Sequence, residues 1–182
     1  MKKLNLGSGP NSARDWINYD WGLLPFLGKF KLTSILVKLG LLDKSYDWKW
    51  PKIQLVNLND EWPCDDSSVD LIFCSQVLEH FDPSDGEKIV NKIYKALKPN
   101  GKLRLSVPDS KKICQNYLSN LDNNSLNEII WGYRKEFYSG FLGKIKSLFI
   151  RGHKWLYDKK SLENLLKKNG FSEIKFYKRT VG

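Results

Sequence analysis

Two short motifs near the start of the chain have the residue types that hold a nucleoside. Gly7, Ser8 and Gly9 follow a short apolar run, and Asp20 ends the next one. Glycine lets the backbone take positive φ and approach a ligand closely, because it has no Cβ. A carboxylate at the end of the neighbouring strand can accept hydrogen bonds from both hydroxyls of a ribose. Together the motifs predict a nucleoside-binding corner of a parallel α/β sheet.

The spacing of these motifs argues against a dinucleotide ligand. The dinucleotide fingerprint places a third glycine where this chain has Ser12, and it expects the acid about 20 residues further on, much later than Asp20. The chain also has no phosphate-binding loop of the form G-x-x-x-x-G-K-[ST]. The predicted ligand is therefore a nucleoside without phosphates.

Further motifs follow in a fixed order along the chain. Residues 70–81 have the sequence DLIFCSQVLEHF, residues 97–103 have LKPNGKL, and a predicted strand ends at Val107-Pro108-Asp109. With the glycine turn, these segments resemble the class I S-adenosylmethionine-dependent methyltransferases. The resemblance runs from residue 4 to about residue 109 and resumes at 153–171, HKWLYDKKSLENLLKKNGF. It implies methyl transfer from S-adenosyl-L-methionine on a Rossmann-like fold.

The resemblance also implies which residues bind the cofactor. The turn would line its methionine and ribose parts, and Asp20 would hold the ribose hydroxyls or, alternatively, cap a turn. Asn57 stands where the family usually carries an acid that bonds the adenine amino group, and Leu58 would pack against the adenine edge. The residues near the methionine portion and the transferring methyl would be Ser75 and Gln76. The predicted cofactor site is Gly7, Ser8, Gly9, Asp20, Asn57, Leu58, Ser75 and Gln76.

The predicted catalytic residues are His80 and His153, the two histidines of the chain. In methyl transfer the protein aligns the acceptor and, for a hydroxyl, removes a proton. Histidine is the natural base near neutral pH. Glu79 is a weaker candidate, and a structural bond between a loop and a helix is the alternative role of the Glu79–His80 pair.

The elements that must position these residues alternate between strand and helix. Strands are predicted at residues 3–6, 17–19, 54–58, 69–75, 102–107 and 172–177. A helix capped by Asp82-Pro83 and another over residues 158–169, followed by Gly170, are the clearest helical signals. The pattern predicts a single α/β domain over residues 1–182 with a doubly wound, mostly parallel sheet. The family normally adds a reversed last strand, and no segment here is a candidate for it, so we expect this strand to be either missing or supplied otherwise.

A helical insertion is predicted at about residues 21–50, after the second strand. Its apolar residues recur at helical spacing in two groups, which predicts two amphipathic helices hinged near Gly28. A second apolar and basic segment at 137–151 belongs to a helical acceptor-side region at about 110–157. Both segments are interpreted either as ordinary core-packing helices or as a lid or a contact with an anionic membrane surface.

Charge narrows the expected partners. Residues 134–182 carry 13 Lys/Arg and 4 Asp/Glu, whereas residues 1–133 carry 17 and 16. The excess of basic residues in the C-terminal quarter either only keeps the protein soluble or attracts an acidic partner, such as a phosphorylated substrate, an anionic membrane or RNA. Cys64, Cys74 and Cys114 do not have the spacing of metal ligands, so we expect reduced, buried thiols and no metal. Reduced thiols are typical of a cytoplasmic protein. Peripheral association with the inner face of the membrane is the alternative localisation.

The sequence therefore favours methylation of a small or lipid-linked metabolite, such as a sugar or polysaccharide precursor. RNA methylation is the alternative that the basic C-terminal quarter suggests. A non-catalytic cofactor-binding protein is a third hypothesis, based on Asn57, a short first helix and the lack of a last strand. The first hypothesis predicts methyl transfer to a metabolite of a cell extract, and the second predicts transfer that is lost on nuclease treatment. The third predicts cofactor binding without turnover.

Overall fold

The computed structural model describes residues 1–10, 15–40, 42, 44, 47, 52–131 and 152–177. Five strands form one sheet in the order β3-β2-β1-β4-β5, and each adjacent pair is parallel. The strands are β1 (Lys3–Leu6), β2 (Ile17–Asp20), β3 (Gln54–Leu55), β4 (Val69–Ser75) and β5 (Leu97–Ser106). The predicted parallel α/β fold is confirmed. The strand order reverses between β1 and β4, and ligands of open α/β sheets bind at the carboxyl ends of the strands beside that point.

The helices are α1 (Leu23–Lys29), α2 (Thr33–Lys38), α3 (Pro83–Ala96), α4 (Ser110–Asn120), α5 (Asn123–Trp131) and α6 (Lys159–Lys168). The core lies around β1 and β4, where Leu4, Leu6 and Ile72 are almost completely buried. Strands buried on both faces are expected to be largely apolar, and the buried polar exception on β1 is Asn5, whose side chain donates to Asn18 Oδ1 at 3.2 Å. Helix α3 adds Ile89 and Ile93 to the same core.

The predicted Asp82-Pro83 start of α3 and the Gly170 end of α6 are confirmed, and Asp158 forms a cap that was not predicted. The Asp85 amide donates to the Asp82 side chain at 3.1 Å, with a proline at the start of α3. The Asp158 carboxylate accepts from the Ser161 amide at 2.7 Å, and the Ser161 hydroxyl closes a reciprocal capping box. Helix α6 gives way to Gly170 at φ +98°, where a Cβ would also lie 2.6 Å from the Tyr94 ring. These elements begin and end where local hydrogen bonds and backbone sterics set their limits.

Four sequence-based expectations about the fold are wrong in detail. Residues 172–177 do not form a strand, since they pair with none of the five strands of the sheet. The third strand ends at Leu55, so residues 56–58 lie beyond it. The fifth strand begins at Leu97 instead of residue 102, and Asn100 at φ +64° accommodates the shift in pairing there. Cys114 is exposed on α4, whereas Cys74 is buried as expected.

The helical insertion differs from the expected hinge and packing. Two helices are present, but the break lies at residues 30–32, with Lys31 at φ +58°, and Gly28 is buried inside α1. Their apolar side chains point largely to solvent, with exposed fractions from 37% at Leu32 to 66% at Leu39. We call this set the α1–α2 apolar surface: Leu23, Phe26, Phe30, Leu32, Ile35 and Leu39. Its exposure disfavours ordinary core packing.

Two predicted segments lie outside the described residues. They are the second apolar segment at 137–151 and the short first helix expected near residues 11–14. Among the described residues no helix has the length and apolar character needed to cross a bilayer.

Candidate functional site

The glycine turn lies at the carboxyl end of β1, as predicted. Gly7 has φ +61°, and a Cβ on it would lie 2.3 Å from Cγ2 of Val77. Both the backbone conformation and this close approach require glycine. The Ser8 amide donates to the Tyr19 carbonyl at 3.2 Å, which fixes the turn against β2. The turn therefore lies at the point where the strand order reverses.

Asp20 joins the turn to the end of β2. Its Oδ2 accepts from the Gly9 amide at 2.7 Å, and its Oδ1 accepts from the Trp21 amide at 2.7 Å. An ionised carboxylate has about four acceptor positions, so organising the turn is compatible with accepting ribose hydroxyls. The structure shows the turn-capping role of Asp20, and ribose binding stays a prediction.

Asn57 and Leu58 lie in the turn after β3. The Asn57 Oδ1 accepts from the Asn59 amide at 3.2 Å, and the Asn57 carbonyl accepts from the Asp60 amide. The Leu58 side chain is buried in the core, and its carbonyl accepts from the Trp62 indole and the Lys92 ammonium. Contact of either side chain with adenine stays a prediction.

Ser75 and Gln76 end β4 at the same edge of the sheet. Gln76 is exposed and has φ +56°, an uncommon conformation for a residue with a Cβ. Its amide donates to the Ser106 carbonyl at 2.9 Å, so pairing with β5 imposes this conformation. Strained backbone of this kind concentrates at functional sites. The role of Ser75 and Gln76 beside the methionine portion of the cofactor stays a prediction.

The geometry of the turn fits S-adenosyl-L-methionine. Gly9 has φ +55°, and a Cβ on it would meet no atom within 4 Å. The backbone therefore faces open space, where a ligand can approach it closely. A carboxylate at the adjacent strand end supplies the acceptor that a ribose needs. Gly7, Ser8, Gly9 and Asp20 are the residues that would hold the cofactor.

The structure brings the two predicted catalytic histidines together. The ring centroids of His80 and His153 lie 5.0 Å apart at 61°. The backbone arranges this contact, since the amides of Lys154 and Trp155 donate to the Glu79 carbonyl at 2.8 and 3.1 Å. The segment that carries His153 is thus attached to the short 3₁₀ turn that follows β4. Sequence analysis selected each histidine separately and did not predict that they meet.

Glu79 completes this group, which we call the Glu79–His80–His153 cluster. One potential ligand atom of each residue lies within 4.8 Å of those of the other two. The Glu79 side chain is completely buried, and neither carboxylate oxygen has a hydrogen-bond partner among the described residues. Burial raises the pKa of Glu79 to about 7. The structural side-chain bond considered for the Glu79–His80 pair is therefore not made by the Glu79 carboxylate.

Tyr157 borders the cluster and was missed by sequence analysis. Its hydroxyl is buried without a described partner. Burial, with the nearby Glu79 carboxylate, raises its pKa to about 12. The Asp109–Tyr157 bridge and the bond from the Ser110 amide to the Tyr157 carbonyl place the segment at the carboxyl end of β5. One sign of its role was present in the sequence, since Tyr157 closely follows the candidate His153 in the segment HKWLY.

A cleft of about 400 Å³ opens beside this segment. It is lined by Pro108, Asp109, Lys112, Ile113, Gln115, Asn116 and Ser119. Lys112 and Asp109 give this cleft one cationic and one anionic group next to the strand end. The carboxyl edge therefore presents a nucleoside-type turn, a histidine cluster and a cleft.

A parallel sheet with this strand order and a glycine turn braced by an acid defines a Rossmann-like nucleoside-binding protein. The model of a sequence family described as a methyltransferase domain matches residues 13–175. The chain therefore belongs to this family, the class I S-adenosylmethionine-dependent methyltransferases, and the resemblance found in the sequence is confirmed. The cofactor of the family is S-adenosyl-L-methionine, as expected.

Individual relatives agree with this assignment. An uncharacterised methyltransferase of Schizosaccharomyces pombe is 35% identical over an alignment 125 residues long, which covers 62% of this chain and 44% of that protein. Methyltransferase structures from Thermotoga maritima and Archaeoglobus fulgidus superpose with TM-scores of 0.53 and 0.54, each at 14% identity. They cover 94% and 96% of this chain, which spans 64% and 62% of theirs. At that identity the two structures support the fold alone. The chain thus spans less than two thirds of the length of each relative.

Proposed function

We propose that the protein transfers a methyl group from S-adenosyl-L-methionine to an anionic small or lipid-linked metabolite, such as a sugar or polysaccharide precursor. The observation that supports this most is the meeting of the glycine turn and the Glu79–His80–His153 cluster at one edge of the sheet. A bound donor and an acceptor at that edge would be close enough for direct transfer.

The roles of the chain's residues follow from the demands of an in-line displacement. The cofactor, when bound, supplies a methyl group on a positively charged sulfur. The turn and Asp20 bind and orient the nucleoside, which fixes the direction from which the acceptor must approach. His80 and His153 are the proposed catalytic residues that contact the reacting group of the acceptor. Lys112 and the basic C-terminal quarter favour an acceptor with negative charge.

Methyl transfer is tested with isotopically labelled cofactor and fractionated cell extract. We expect label in a metabolite fraction with the wild-type chain, and much less with Asp20→Ala. Asp70→Ala is the matched control, because Asp70 lies near the amino end of β4 and contacts Lys2 and Lys98. Label that disappears only on nuclease treatment would favour RNA as acceptor. Cofactor binding without transfer to any fraction would favour a non-catalytic protein.

We also propose that the α1–α2 apolar surface contacts an anionic membrane. Exposed Phe26, Phe30 and Leu39 lie among the exposed cations Lys29 and Lys38. Apolar side chains with neighbouring lysines suit the interface of an anionic bilayer, where a lipid-linked acceptor would reside. With this surface on the membrane, the protein would be held beside a lipid-linked acceptor.

Vesicle co-sedimentation tests the membrane contact. Binding should require anionic lipid and weaken with salt, since the Debye length falls to about 3 Å at 1 M. Leu39→Ala should reduce binding, whereas Leu118→Ala, an equally exposed leucine on α4, should not. Equal binding to neutral and anionic vesicles, or equal effects of the two variants, would refute the contact.

A further inference from the structure

We infer that the Glu79–His80–His153 cluster binds one divalent transition-metal ion, with zinc as the best match. Metal binding is independent of the proposed function. The role of the ion rests on that function: an open coordination position would take an oxygen of the acceptor and favour its deprotonated form, with the proton passing to solvent. With the ion bound, this contact would replace the direct contact of His80 and His153 with the acceptor.

The spacing of the three side chains suits a metal after a contraction. Their potential ligand atoms lie within 4.8 Å of one another. Zinc bonds to nitrogen and oxygen are about 2.0–2.2 Å long and point to the corners of a tetrahedron, so ligand atoms on one ion lie about 3.4 Å apart. Side-chain movements that shorten the longest spacing by roughly 1.4 Å would therefore close the site. The chain already joins the two segments through bonds from the Lys154 and Trp155 amides to the Glu79 carbonyl.

Glu79 is the residue that most requires a partner. Both of its carboxylate oxygens are buried and without a hydrogen bond among the described residues. A buried charge is costly unless it is paired or coordinates a metal. No described salt bridge involves this carboxylate. A cation between the carboxylate and the two imidazoles would remove that cost.

The histidines have the outer contacts that metal ligands normally have. Nδ1 of His80 lies 3.1 Å from the Gly152 carbonyl oxygen, and Nδ1 of His153 lies 2.7 Å from that of Ile129. A carbonyl only accepts, so each Nδ1 must carry the proton, and in the neutral ring Nε2 has the lone pair. Ligand histidines characteristically donate their second N–H to a backbone carbonyl or carboxylate, which fixes the ring.

The donor set indicates the kind of ion. Two imidazoles and one carboxylate suit zinc and other transition metals, whereas magnesium and calcium prefer oxygen donors alone. Three protein ligands leave a position for water or substrate, as in catalytic zinc sites. Among the described residues, no group of three or more potential metal ligands includes a cysteine.

The test measures metal binding on the tag-free, chelator-treated chain. Calorimetry with Zn²⁺ and visible absorption with Co²⁺ should show one ion per chain. Glu79→Gln and His153→Asn should each lower affinity by at least the roughly 10- to 100-fold that loss of an outer-shell partner costs. Glu163→Gln is the matched control, because Glu163 forms an exposed ion pair with Lys167 on α6. Glu79→Gln should fold, since it replaces a buried charge by a neutral side chain of similar shape.

Thermal unfolding and binding of S-adenosylhomocysteine check the fold of each variant. Zn²⁺ should raise the melting temperature of the wild type and of Glu163→Gln, but not that of Glu79→Gln. Sub-stoichiometric binding by the wild type, or wild-type affinity in Glu79→Gln, would overturn the inference. Either result leaves the methyltransferase proposal intact if S-adenosylhomocysteine binds and transfer occurs. Loss of S-adenosylhomocysteine binding alone would count against the proposed function and not against the metal.

Discussion

Replacing Asp20 by alanine should weaken both the glycine turn and the cofactor site. The Asp20 carboxylate accepts from the half-buried Gly9 amide at 2.7 Å and from the more exposed Trp21 amide at 2.7 Å. A hydrogen bond to a charged group contributes about 1.5–3 kcal/mol, and we count only the Gly9 bond because exposure to water reduces the other. Asp20→Ala should therefore lower the free energy of unfolding by about 1.5–3 kcal/mol, measured by urea denaturation.

The effect on the cofactor follows from the same carboxylate. If Asp20 also accepts ribose hydroxyls, its loss removes a charge-assisted hydrogen bond from the complex and lowers the free energy of binding by about 1.5–3 kcal/mol. At about 1.4 kcal/mol per tenfold, affinity for S-adenosylhomocysteine should fall about 10- to 150-fold by calorimetry. Asp70→Ala, at the other end of the sheet, should leave the affinity unchanged.

Two results would refute this reasoning. Unchanged affinity in a folded Asp20→Ala protein would mean that Asp20 only braces the turn. Tighter binding of NAD than of S-adenosylhomocysteine by the wild type would contradict the choice of ligand, which rests on the spacing of Ser12 and Asp20 in the sequence.

Three further experiments, on the glycine turn, on Asn57 and on the cysteines, test individual contacts. Gly7→Ala should destabilise the fold by about 2–4 kcal/mol, because positive φ and overpacking both act there. Gly9 faces open space, so Gly9→Ala should cost only the roughly 1–2 kcal/mol of positive φ. Equal losses of unfolding free energy for the two variants in urea denaturation would contradict this. Asn57→Asp should bind S-adenosylhomocysteine at least as tightly, because a carboxylate is the stronger acceptor; a large loss in calorimetry would show that the amide donates. A thiol reagent at neutral pH should label exposed Cys114 and spare Cys74, whose pKa burial raises to about 12; rapid native labelling of Cys74, followed by mass spectrometry, would disagree with its burial.

Local features of this fold could be predicted from the sequence because their causes lie within a few residues. Gly7 and Gly9 take the positive φ that their motif predicts. Asp82 caps α3, as predicted, because its side chain reaches an amide three residues ahead. The apolar run of β4 forms the buried central strand that its composition indicates.

Features that depend on a neighbour distant in sequence could not be predicted in this way. The length of a strand depends on its partner, so β3 ended early and residues 172–177 formed no strand. Helical spacing in the insertion predicted two helices, but the spacing was identical for a buried or an exposed apolar face. Only the packing of the chain showed that Phe30 and Leu39 face outward.

The sequence by itself determined the parallel α/β class, the glycine turn and the family, since these depend on local backbone sterics and on motif order. Tertiary structure alone decided that His80 and His153 meet beside a buried, unpartnered Glu79. Burial and contact are properties of segments brought together by folding. No local pattern specifies that the segment after Gly152 attaches to the turn after β4 through hydrogen bonds to the Glu79 carbonyl.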